Sequence, residues 1–119
     1  TSDDIDTCIR ACCEAGAPAG VSMTEATKPP HWMYSMDDDR KITPLVDGAA
    51  SVLRRQDVQT YYVPKGAIYV ADVEWFLQNK TFYSSETVGY TMPKERSVDI
   101  DTSIDLMLAR AIVNERTDV

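Results

Sequence analysis

Apolar residues over positions 1–15 recur at helical spacing, with Ile5, Cys8, Ile9 and Cys12 on one face. Asp3 and Asp4 suit the first turn of such a helix, and Gly16 suits its end. The period changes to two at residues 20–24, where Val21 and Met23 turn inward as in a short strand. Lys28-Pro29-Pro30 breaks regular structure. Trp32, Tyr34 and Met36 then alternate with Met33 and Ser35 as a second strand, and Asp37-Asp38-Asp39 makes a polar turn before Lys41-Ile42-Thr43. Ala67-Ile68-Tyr69-Val70, behind Gly66, has the continuous apolar pattern of a buried strand. Asp72 is placed to cap a short helix through Trp75, Phe76 and Leu77, and residues 87–92 predict another strand, ended by Pro93. Residues 102–116 carry the strongest helical pattern: Thr102 with Asp105 fits a capping box, and Ile104, Leu108, Ala111 and Ile112 form one stripe. The order predicts an α/β protein, a sheet with helices packed on it, in a single domain over 1–119.

Composition narrows the partners. The chain has 119 residues, a net charge of −7 and 44% hydrophobic residues. Its twelve basic residues form no cluster beyond Arg54-Arg55, so nucleic-acid binding is not expected. No apolar run approaches membrane-spanning length and no signal peptide is visible, so a cytoplasmic protein without a membrane partner is expected. Cys8, Cys12 and Cys13 are an odd, clustered set and are expected to be reduced, partly buried thiols. The hairpin-like piece at 32–43 carries more aromatic area than a solvated loop needs, which suits an arm offered to a second subunit.

Asp99 and Asp101 are the candidate chemistry. In an extended segment both carboxylates turn to one face, with Val98 and Ile100 on the other. Adjacent carboxylates repel unless a positive charge lies between them, and hard divalent cations take such ligands. The same Asp-x-Asp before a helix also reads as a turn and an N-cap. His31 has no acid–base partner in the sequence, and no catalytic residue is assigned.

Several segments in register carry a family resemblance: Val21-Ser22-Met23-Thr24-Glu25, His31-Trp32-Met33-Tyr34, Arg54-Arg55-Gln56-Asp57, Gly66-Ala67-Ile68-Tyr69 and Pro93-Lys94-Glu95-Arg96-Ser97-Val98-Asp99-Ile100-Asp101-Thr102. Together they resemble the C-terminal half of the acylneuraminate cytidylyltransferases. The resemblance implies an incomplete nucleotidyltransferase-like, Rossmann-like unit with an extended dimerisation arm over 31–61, in a homodimer. It implies transfer of CMP from CTP to a nonulosonic sugar acid, with release of pyrophosphate and use of Mg2+. It assigns Asp99 and Asp101 to metal binding, and Arg55, Tyr69, Phe82 and Tyr83 to the substrate.

This sequence departs from the family pattern in two ways. Lys65 stands where the family usually has Asn before Gly-Ala-Ile-Tyr, and Val63 stands where a polar residue is usual, which leaves the sugar in doubt. The Gly-rich nucleotide loop and the Gln-Pro-Thr-Ser-Pro-Leu-Arg segment have no counterpart among these residues, so the isolated chain is expected to be inactive. The other expectation is a free-standing, non-catalytic dimeric module derived from this fold, binding a sugar acid or only itself.

Overall fold

In the computed structural model residues 1–46 and 59–116 are described, and they divide into two units. The first comprises Thr1–Thr24 with Pro64–Val119, and the second Glu25–Val63.

Helix α1 spans Ser2–Glu14. Thr1 and Asp4 close a reciprocal capping box at its start, and Gly16 stops it with a left-handed φ of +63° that a side chain would strain. The buried face differs from expectation. Asp4, Cys8 and Cys12, at steps of four, point inward, while Ile5 and Ile9 are exposed. The partners that draw Asp4 inward lie some ninety residues away in sequence.

Strand β1, Ala19–Glu25, is the centre of a three-stranded sheet of order β4-β1-β5, with β4 spanning Tyr62–Ala71 and β5 spanning Val88–Thr91. β1 and β5 run parallel, Gly20 opposite Val88 and Met23 opposite Thr91. β4 runs the other way: Asp72 N–H donates to the Pro18 carbonyl, while Ser22 bonds back to Lys65 and Ile68. A central strand is covered on both faces, which corrects the expected alternation: Val21, Ser22 and Thr24 are all buried, and Met23 only partly. The hydroxyls are compensated. Thr24 Oγ1 donates to the Met92 carbonyl at 3.2 Å, and Ser22 Oγ donates to Lys65 O while accepting from Ile68 N at 3.1 Å.

β4 is longer and more exposed than the run at 67–70 predicted, with only Ile68 buried. Its place at the edge of the described sheet accounts for that exposure and suits Pro64, since proline is tolerated on edge strands. Cys8, Ile68 and Met92 form the small core, with Val70 and Tyr90 packed against it, and α1 lies against β5.

Helix α2, Val73–Asn79, starts where Asp72 Oδ1 accepts from Trp75 N at 3.0 Å and ends at Lys80 in the left-handed region. Helix α3, Ser103–Glu115, has the expected capping box of Thr102 and Asp105. Its apolar stripe, however, packs against little: no residue of α3 is buried, and Ile104 and Leu108 are 74% and 51% exposed. The architecture is thus mixed α/β, a small mixed sheet with three helices.

In the second unit, β2 (Tyr34–Met36) and β3 (Ile42–Pro44) form an antiparallel ribbon, with Ser35 opposite Thr43. The turn is held at Asp37, whose Oδ1 accepts from Lys41 N and whose carbonyl accepts from Arg40 N, both at 2.9 Å. Trp32 belongs to a 3-10 turn, Pro30–Trp32, rather than to β2. Tyr34, Met36, Ile42 and Leu45 leave much of their surface exposed.

Candidate active site

Asp99 and Asp101 lie in the irregular segment between a 3-10 turn, Lys94–Arg96, and α3. The segment joins no sheet, so the expected separation of acidic and aliphatic faces is incomplete: Val98 is half-buried but Ile100 is exposed with the carboxylates. Both ends are fixed. Upstream, buried Ser97 donates from Oγ to the Pro93 carbonyl at 2.9 Å. Downstream, Asp105 Oδ2 accepts from Asp101 N at 3.1 Å and Thr102 N at 3.0 Å. These bonds, led by the one from Asp101, hold the Asp105 carboxyl below its ordinary value. Asp105 thus serves the helix start, while the Asp99 and Asp101 side chains face solvent.

Lys65, on β4, reaches Asp99: Nζ lies 3.5 Å from Oδ2. The Asp99 side chain is 50% exposed and that of Lys65 25%. Among the described residues no third His, Cys, Asp or Glu joins the pair in a metal-binding group. The donor set is two solvent-facing carboxylates of hard oxygen. It fits a magnesium ion that keeps several waters or takes further oxygens from a substrate.

Tyr69, Phe82 and Tyr83 come together in one aromatic cluster. Tyr69 lies 5.0 Å from Phe82 and meets Tyr83 edge-on at 6.5 Å, and Phe76 of α2 backs the cluster 4.8 Å from Phe82. From sequence Phe76 is only a residue of the capped helix; the fold brings it to Phe82. Arg55 lies outside the described residues.

Just upstream of the carboxylate segment, Arg96 pairs with a buried aspartate, a contact that sequence reasoning missed. Asp4 is 1% exposed. Arg96 forks onto it, Nε to Oδ2 and Nη2 to Oδ1, each at 3.0 Å. Tyr90 donates its hydroxyl to Oδ1 at 2.7 Å, and the Thr1 nitrogen and hydroxyl reach Oδ2 at 3.1 and 2.9 Å. The guanidinium, foremost among these, holds the Asp4 carboxyl far below the usual carboxylate range, and bonding to Asp4 raises the Tyr90 phenol. Three residues before Asp99, Arg96 therefore fixes the start of that segment to α1. The four-residue spacing of Asp4 with Cys8 and Cys12 was the one sequence signal for it.

No protein-family model matches the chain. Over 87 residues it is 39% identical to the N-acylneuraminate cytidylyltransferase of Streptococcus agalactiae serotype V, covering 73% of this chain and 21% of that protein. The protein of the same name from S. agalactiae serotype III gives the same identity and coverage. That of Escherichia coli O18:K1:H7 is 32% identical over 96 residues, 81% of this chain and 22% of the relative. By sequence, then, most of the chain is similar to one stretch of these N-acylneuraminate cytidylyltransferases. It spans 21–22% of the length of these curated relatives.

Proposed function

We propose that this chain forms the sugar-acid-facing and metal-facing portion of a cytoplasmic acylneuraminate cytidylyltransferase, which joins CMP from CTP to a nonulosonic acid and releases pyrophosphate. Asp99 and Asp101 would hold Mg2+, which when bound neutralises charge on the phosphate oxygens during transfer. The observation that carries this reading is the solvent-facing pair itself: two carboxylates anchored at both ends of their segment but left open toward solvent.

Tyr69, Phe82 and Tyr83 offer apolar and hydroxyl surface suited to a sugar with its acyl group. Lys65 and Tyr69 are four residues apart on β4, roughly 13 Å of strand, enough to separate the acidic edge from the aromatic surface along one extended ligand. Arg55 would meet the sugar carboxylate or a phosphate with its two-pronged donor geometry. The exposed Tyr34, Met36 and Ile42 of the second unit suit an arm over 31–61 that pairs two subunits.

On this reading the isolated chain releases no pyrophosphate from CTP, Mg2+ and a nonulosonic acid. A chimera of the S. agalactiae serotype V relative, carrying this chain in place of the matching stretch, releases it. A chimera that is folded by circular dichroism but inactive would overturn the proposal.

A further inference from the structure

Lys65 is the one basic side chain that the described structure pairs with the acidic edge. Buried Ser22 bonds both the Lys65 carbonyl and the Ile68 amide, tying β4 to β1 at this point. The side chain beyond Cα is a flexible stem. Its ammonium is a compact charge on a four-carbon stem, and at 3.5 Å from an exposed carboxylate it makes a contact worth little. A divalent cation placed on Asp99 would meet the same carboxylate with twice the charge and would repel the ammonium. The two cations would compete for one negative charge.

We propose that Lys65 is an internal counter-cation: its ammonium neutralises Asp99 when no metal is present, and a divalent cation must displace it to bind. The inference rests on the metal-binding reading of Asp99 and Asp101. Lys65 then sets the metal concentration that the site needs, since each binding event includes the loss of the Lys65–Asp99 contact.

The test is a titration of the 119-residue chain with Mn2+, read as paramagnetic broadening of the backbone amide resonances of residues 98–102. Lys65→Met, with Lys65→Gln as a second neutral variant, should broaden at roughly fivefold lower Mn2+ than the wild type, as expected for losing a contact of about 1 kcal/mol. Lys65→Arg should behave as the wild type, and Asp99→Asn should lose the broadening. Broadening of the neutral Lys65 variants at the wild-type concentration or above overturns the exchange and leaves the metal site standing. Wild-type broadening in Asp99→Asn also overturns it. Absence of broadening in every variant overturns the metal site and the exchange together. The amide spectrum reports in the same experiment whether each variant is folded.

Discussion

Arg96 and Asp4, ninety-two residues apart in sequence, form a two-pronged ion pair with both contacts at 3.0 Å, and Asp4 is buried. The pair ties the first turn of α1 to the segment that carries Asp99. Asp4→Asn keeps the shape but gives up the charge, and leaves the guanidinium facing a neutral amide. We expect a loss of about 2 kcal/mol in urea unfolding at neutral pH, as for hydrogen bonds to a charged group. Tyr90→Phe, which removes one neutral donor to the same carboxylate, should cost about 1.5–3 kcal/mol.

Acid should weaken this tie. The Asp4 carboxyl titrates lower in the folded chain than in the unfolded one, so near and below pH ~3.9 the unfolded state binds the extra proton. The contribution is complete above the unfolded value and is lost as pH falls through the lowered folded value. The stability gap between wild type and Asp4→Asn should therefore be constant from pH 7 to 5 and narrow below pH 4. A gap that widens in acid would contradict the assignment.

Much of the local structure was legible because its signals are local. Asp3 and Asp4 mark the first turn of α1, Asp72 caps α2, and Thr102 with Asp105 caps α3, each within a few residues of sequence. The aspartate-rich turn between β2 and β3 was legible for the same reason. What failed depended on distant partners. Nothing near Asp4 announces Tyr90 or Arg96, so Ile5 and Ile9, which are exposed, were placed on one face with Cys8 and Cys12, which are buried. The run at 67–70 read as a buried strand because periodicity does not distinguish a central strand from an edge strand. The α3 stripe predicted packing, yet Ile104 and Leu108 remain largely exposed in the described unit. At the candidate site, the aspartates and the aromatic residues were each named from sequence. Phe76 behind the aromatics and the approach of Lys65 to Asp99 required the fold.

Ser22 offers a second stability test. Its buried hydroxyl both donates to Lys65 O and accepts from Ile68 N, joining β1 to β4 through a side chain. Ser22→Ala leaves that buried amide and carbonyl without this partner and should cost about 1–3 kcal/mol. The change should also raise the hydrogen-exchange rate of the Ile68 amide more than that of amides in β5. An unchanged Ile68 rate would count against the hydroxyl bridge.

The three thiols should separate by reactivity. Cys8 and Cys12 are buried and Cys13 is exposed, and burial is the main cause raising both the Cys8 and the Cys12 thiol. With a colorimetric disulfide reagent at neutral pH, the native chain should react at once at Cys13, and at Cys8 and Cys12 only with unfolding. Three equally fast thiols would show that α1 does not hold the packed face described above.

The most direct measurement of the functional account is the rate of pyrophosphate release by the active chimera carrying Asp99→Asn or Asp101→Asn. Each change removes a carboxylate charge without changing side-chain size much. If these two residues form the metal-binding edge, each variant should fold like its parent and lose roughly a hundredfold or more in rate. A folded variant that keeps its parent's rate within a few-fold would contradict that role.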